Sequence, residues 1–152
     1  MRKICCFAGH RNLYNKDDLS EKLSSKIEDL IMNEKVNEFW VGNYGAFDHL
    51  SSYTVKKLKE KYPHIELNLI IPYLTSEITK NKDLYLKEFD NILIADIPEK
   101  TPKKFHIIKC NEYMIQKSDY LIAYIEFSYG GAYKTLEYAK KQKKIRIFNL
   151  TE

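Results

Sequence analysis

The sequence holds no apolar run near the ~20 residues that a membrane-crossing helix requires, so a chain with no membrane partner is expected. Three cysteines cannot build a disulfide framework. Cys5 and Cys6 are adjacent, so on a strand they face opposite sides, and neither has a Cys or His at metal-ligand spacing. They read as core thiols, and no metal site is expected. No leader-like layout opens the chain, which passes straight into a strand, so the cytoplasm is the expected compartment. Two nucleotide signatures are also missing. No Gly-x-Gly-x-x-Gly follows the first strand and no Gly-x-x-x-x-Gly-Lys-Ser/Thr loop occurs. Their absence argues against an NAD-dependent dehydrogenase and an ATPase, and no cofactor is expected. Glycine itself is scarce, with five in 152 residues, which makes the position of each one informative.

What is present describes a globular chain. An apolar fraction of 44% and a charged fraction of 30% suit one domain over residues 1–152 with a real core. The net charge of +4 suits an anionic ligand but is too mild to argue for nucleic acid. The densest basic run, Lys140 to Lys144, reads as a helix C-terminus facing solvent.

Strand-length and helix-length patterns alternate along the chain. Strands are expected at Lys3–Ala8, Asn37–Val41, Ile65–Ile71, Asn91–Ala95, Asp119–Ile125 and Lys144–Asn149. Helices are expected near 17–34 (capped by Asn15 or Asp17), 46–61, 76–89 and 103–117, with a last one from Leu136 that breaks up after Ala139. No Asn-Gly or Asp-Gly hairpin signal interrupts this order. The expected fold is therefore α/β: a Rossmann-like, doubly wound and mainly parallel sheet of about six strands with helices on both faces.

All of the glycines follow strands: Gly9 the first, Gly42 and Gly45 the second, Gly130 and Gly131 the fifth. In an open parallel sheet those exits share the edge where ligands bind. Gly130-Gly131, between a strand and a helix start, can expose several backbone N–H groups to one anion, or can simply make a tight connection. Arg11 offers a planar fork for phosphate, and His10 a hydrogen bond or a proton near neutral pH. Asp48 falls in the first turn of a helix, where it caps that helix, holds a ribose hydroxyl or serves as a catalytic carboxylate. Phe47 beside it reads as core. Glu137 is either a cleft carboxylate or a surface acid paired with Lys140 or Lys141. Among 12 tyrosines, Tyr14, Tyr44, Tyr73, Tyr129 and Tyr133 lie in or beside strand exits, and Tyr44 and Tyr129 are the ones expected to stack on a base. The candidate ligand-binding set is Gly9, His10, Arg11, Gly42, Tyr44, Gly45, Asp48, Tyr129, Gly130, Gly131 and Lys134. Glu137 and Asp48 are the catalytic candidates if the protein is an enzyme.

The ordered motifs Phe7-Ala8-Gly9-His10-Arg11, Gly45-Ala46-Phe47-Asp48 and Leu69-Ile70-Ile71-Pro72-Tyr73 resemble the SLOG superfamily (Smf/DprA and LOG proteins), especially its small YpsA-like bacterial branch. Asn111-Glu112-Tyr113-Met114, Ser118-Asp119, Gly130-Gly131 and Tyr138-Ala139-Lys140-Lys141 continue the likeness over nearly the whole chain. The resemblance implies a Rossmann-like sheet that binds a nucleotide-derived small molecule at the glycine edge. The LOG branch cleaves the N-glycosidic bond of nucleoside monophosphates with a Pro-Gly-Gly-x-Gly-Thr-x-x-Glu motif and an upstream arginine. Aligned on Gly130 and Gly131, Glu137 matches the glutamate, while Tyr129, Tyr133 and Lys134 replace the proline, third glycine and threonine. Cys110 stands in place of the arginine. Other relatives sense nucleotide signals in bacterial antiviral systems, so a binding or sequestering module for a cyclic or ADP-ribose-like signal is the leading expectation. LOG-like hydrolysis or transfer is the alternative. DprA-type members bind single-stranded DNA, a partner that the mild, mixed charge argues against. Pairing of relatives through helices implies a homodimer.

Overall fold

Six short strands, each rich in branched or aromatic side chains, line up in the computed structural model as one sheet of order β4-β3-β2-β1-β5-β6. The structure describes residues 1–14 and 16–151. Asn15, one of the two expected caps of the first helix, lies outside the described residues. The elements run β1 (Ile4–Gly9), α1 (Lys16–Asn33), β2 (Glu38–Val41), α2 (Ala46–Lys61), β3 (Glu66–Ile71), α3 (Ser76–Lys80), α4 (Lys82–Glu88) and β4 (Asn91–Ile94). A single 3-10 turn at Lys103–Phe105 then leads into α5 (His106–Lys117), β5 (Tyr120–Tyr124), α6 (Gly131–Lys140) and β6 (Arg146–Asn149). Every neighbouring pair is parallel.

The chain walks outward from β1 to β4, then crosses back to lay β5 on the other side of β1, with Ala8 opposite Ala123 and Gly9 opposite Tyr124. The strand order therefore reverses between β1 and β5. At such a point the connections leave toward opposite faces and open a crevice beyond the carboxyl ends of the strands.

The period of two along each strand builds a separate core on each face. Cys5, Phe7, Phe39, Val41, Leu67 and Leu69 pack with Leu23, Ile27 and Leu30 of α1 and Val55 of α2. Cys6, Ala8, Trp40, Ile70, Leu121 and Ala123 pack on the other face with Cys110, Met114 and Ile115 of α5 and Leu136 and Ala139 of α6. All three cysteines are free and buried. Among the described residues no helix is long and apolar enough to cross a membrane.

Several boundaries differ from the expected ones for local reasons. The helix expected over 76–89 is two helices. Asn81 ends α3, its side-chain amide donating to the Glu77 carbonyl at 3.0 Å, and it also stands at the start of α4. Such local side-chain bonding competes with helix continuation. The last helix starts at Gly131 rather than Leu136, and Asp17 lies within the first turn of α1 rather than before it.

At the amino end of the sheet, the buried Glu38 carboxylate is met by Arg2 Nε at 2.5 Å and Arg2 Nη2 at 3.0 Å. Trp40 Nε1 donates to it at 3.1 Å and Asn68 Nδ2 at 2.9 Å. Burial pushes this carboxyl up, but the donors outweigh it and hold it below its usual value. Glu38→Ala strips the Trp40 and Asn68 donors of their acceptor and is expected to cost ~1–3 kcal/mol in urea unfolding at neutral pH. The gap between wild type and variant is complete above the ordinary carboxyl value of ~4.3 and closes as pH falls through the lowered folded-state value.

Candidate functional site

Loops leaving β1, β2 and β5 meet the start of α5 and enclose a cleft of about 520 Å³ at the switch point. Gly9, His10, Arg11, Asn12 and Tyr14 come from the first loop, and Tyr44, Gly45 and Asp48 from the second. Phe127, Tyr129, Gly130 and Gly131 come from the third, with Ala132 and Thr135 of α6. Ile107 and Asn111 of α5 complete the wall.

The glycines do two different jobs. A Cβ on Gly9 would lie 2.2 Å from the Phe47 ring, and one on Gly45 would lie 2.8 Å from the Arg11 Cα. Both positions are bare so that the start of α2 can press onto the end of β1. The Ala46 N–H seals this contact by donating to the Arg11 carbonyl at 2.9 Å. Gly42 leaves room for the Asp48 carboxylate, 3.1 Å from where its Cβ would be, and does not line the cleft. Gly130 and Gly131 have open space where a Cβ would stand. Gly130 has φ +95, in the region that favours glycine, which turns the chain into α6 with its backbone unobstructed.

Three helices bordering the cleft (α2, α5 and α6) begin without a side-chain cap, whereas α3 is capped by Thr75. At α2 the Ala46 N–H is already taken by the Arg11 carbonyl, and α5 continues from the 3-10 turn with its His106 N–H donating to the Lys103 carbonyl. The bare start of α6 is therefore the one whose N–H groups and dipole most favour an anion. Arg11 is exposed at the mouth, and none of the ion pairs among the described residues uses it.

Asp48 is half-buried on α2, and its Oδ2 accepts the Tyr44 N–H at 3.0 Å. Burial pushes its carboxyl up, tempered by that backbone bond and by the charges of His49 and Arg11. Burial also pushes the Tyr44 phenol up to about 12, with the neighbouring Cys110, Tyr73 and Asp48 adding to it. Tyr44 thus stays neutral and can both donate and accept. His10 Nε2 accepts the Glu126 N–H at 2.8 Å, so a neutral imidazole carries its proton on Nδ1. Its ring lies 5.0 Å from Phe127, which stacks on Tyr129 at 5.4 Å.

The expected residues Gly9, His10, Arg11, Tyr44, Gly45, Asp48, Tyr129, Gly130 and Gly131 are gathered around this one cleft. Lys134 and Glu137 do not border it. Lys134 is exposed on α6, and the Glu137 carboxylate stands 3.2 Å from Lys140 Nζ as an ion pair outside hydrogen-bond geometry. Phe47 is buried in the core. Asn12, Ile107, Ala132 and Thr135 carried no expectation of a site role, and Asn111 entered only as part of a motif. Ile107 and Asn111 lie on a helix that follows a proline and a 3-10 turn rather than a glycine at a strand exit, and the reversal of strand order brings its start to the cleft. Among the described residues, no group of three or more His, Cys, Asp or Glu is placed to hold a metal.

Comparison with known proteins agrees with the motifs. The model of the YspA SLOG family (YpsA) matches residues 6–151, and the chain belongs to that family. It is 30% identical over 138 residues to the uncharacterized SPbeta prophage-derived protein YoqJ of Bacillus subtilis, covering 81% of each chain. It is 29% identical over 148 residues to the UPF0398 protein BH1768 of Halalkalibacterium halodurans, covering 93% of this chain and 76% of that one. Among solved structures, DNA processing protein A (DprA) from Streptococcus pneumoniae superposes with a TM-score of 0.67 at 15% identity, over 96% of this chain. That likeness is one of fold, and the present chain spans 50% of the DprA chain.

The two kinds of glycine separate under substitution. Gly9→Ala forces the Phe47 ring or the strand to move and is expected to cost ~1–3 kcal/mol in urea unfolding. Gly131→Ala, entering open space at the start of a helix, is expected to stay within about 0.5 kcal/mol of wild type in the same titration.

Proposed function

We propose that this SLOG-family protein binds a nucleotide or nucleotide-derived phosphate compound in the switch-point cleft, as a sensing or sequestering module. The observation that carries this reading is the bare, uncapped start of α6 at Gly130-Gly131, facing a cleft whose mouth holds Arg11, which no ion pair among the described residues uses. Backbone N–H groups and a guanidinium around one cavity suit a phosphate. Phe127 and Tyr129 offer a ring face to a base, and the Tyr44 hydroxyl and Asp48 Oδ1 offer hydrogen bonds to a ribose. Cyclic and ADP-ribose-like compounds fall within this class.

A second reading, cleavage at an N-glycosidic bond, is favoured by one observation: Asp48 is the carboxylate among the residues lining the cleft, and its burial raises its basicity. In that reaction Asp48 takes a proton from the water that attacks C1′, and the base departs with the bonding electron pair. Glu137, turned to Lys140, gives this reading no support.

The test is a capture experiment. Purified protein is incubated with a mixed panel of nucleoside phosphates, cyclic dinucleotides and ADP-ribose compounds. Retained and unbound fractions are then identified by mass spectrometry. Binding predicts one compound retained intact, with Arg11→Ala weakening it roughly 10- to 100-fold, the weight of a hydrogen bond to a charged group. Asp48→Asn keeps an acceptor for the Tyr44 N–H and is expected to retain that compound. Release of free base and sugar phosphate, lost in Asp48→Asn, supports the enzyme reading instead. Failure of wild type to retain anything beyond Arg11→Ala overturns the binding proposal.

A further inference from the structure

The loop that carries the aromatic face is held by little. At its start, Ile125 is fixed to the end of the chain: its N–H donates to Asn149 Oδ1 at 3.2 Å, and its carbonyl accepts from Thr151 Oγ1 at 3.1 Å. At its far end the Gly130 carbonyl accepts the Lys134 N–H at 3.1 Å as α6 begins. Between them, among the described residues, the backbone makes one hydrogen bond, from Glu126 N–H to His10 Nε2. Phe127 and Tyr129 are 39% and 70% exposed, so burial does not fix them. Their support is the contact of Phe127 with the His10 ring and the stacking of Tyr129 on Phe127.

We infer that His10 is a positioning residue: by accepting the Glu126 N–H it holds the Phe127–Tyr129 pair against the cleft, and its protonation releases that pair. Only a neutral imidazole has the lone pair that this contact needs. Once protonated, both ring nitrogens donate, and Nε2–H would confront the Glu126 N–H. The surrounding charges do not replace the lost acceptor. The Glu126 carboxylate, which takes a hydrogen bond from the Tyr124 hydroxyl beside the His10 ring, favours the charged ring without returning a lone pair to Nε2. The Asp48 carboxylate on α2 takes a hydrogen bond from the Tyr44 N–H. Arg11 follows His10 on its own loop, and Asp18 and Lys22 of α1 border the groove on the far side of Tyr124 and Glu126. Burial pushes the imidazole value down, opposed by Glu126. The neutral acceptor is therefore complete above the ordinary histidine value of ~6.5 and is lost as pH falls through the lowered folded-state value. Neutral and alkaline conditions present the aromatic face, and acid withdraws it.

The loop coupling stands on the protein alone, while its effect on affinity rests on the nucleotide reading of the cleft. Two measurements keep them apart. In 1H–15N and aromatic NMR spectra from about pH 8 to about pH 5, the Glu126 amide and the Phe127 and Tyr129 rings are expected to shift together with the His10 ring. His10→Gln, whose Oε1 accepts a hydrogen bond without titrating, is expected to keep the alkaline spectrum of this loop throughout. A Glu126 amide that ignores the titration of His10, or a Gln variant whose loop still titrates, overturns the inference. For affinity the probe is ADP-ribose, whose diphosphate does not titrate in this range. Wild type is expected to lose about fivefold in affinity or more on acidification, the equilibrium weight of one net hydrogen bond, and His10→Gln to lose none. An affinity that falls equally in both contradicts the coupling. Absence of ADP-ribose binding at either pH removes support for the nucleotide reading, while the spectra still decide the role of His10.

Discussion

The cleft depends on how closely the start of α2 lies on the end of β1. Phe47 occupies the space a side chain at Gly9 would need, Gly45 sits against the Arg11 backbone, and the Ala46 N–H bonds the Arg11 carbonyl. That contact joins the first two strand exits into one wall and sends the Arg11 side chain outward. It also sets Asp48 and Tyr44 together under the first turn of α2. The opposite wall comes from β5, which the reversal of strand order places beside β1. A site of this shape follows from a parallel sheet whose chain turns back, and these loops give it its own chemistry.

That chemistry is uneven across the cleft. On the α6 side the backbone is bare and uncapped, so positive partial charge is offered with no side chain in the way. On the α2 side, burial keeps the Tyr44 phenol neutral and raises the Asp48 carboxyl, which is already engaged by a backbone N–H. The α6 side thus offers donors to an anion, the α2 side offers the Tyr44 hydroxyl and the Asp48 carboxyl as hydrogen-bonding groups, and the loop that leads into α6 carries an exposed aromatic pair. A phosphate ester joined to a sugar and a base has a partner for each of these three kinds of group.

Much of the fold was legible because strands and helices are marked by different periods and few residues blur them. The bounds expected for α2, 46–61, are those observed, since Gly45 precedes it and Pro63 follows it. The glycines located the edge of the sheet, but residue type could not separate those that admit close packing from those that leave backbone open. Gly9 and Gly131 read alike in sequence and differ in what surrounds them. Glu137 shows the same limit: its spacing to Lys140 and its place in a family motif pointed in opposite directions, and the side chain lies with Lys140. The walls contributed by α5 and the latch between His10 and Glu126 join residues far apart in the chain. No local pattern announces either.

The most direct measurement is a titration of the 15N-labelled protein with ADP-ribose at constant pH and ionic strength, following every backbone amide and the arginine Nε–H signals. The account predicts saturable shifts that are largest at Gly131, Ala132 and Arg11, with smaller ones at Tyr44 and Phe127. Saturable shifts centred elsewhere, or none at the start of α6 while the ligand binds, would contradict it.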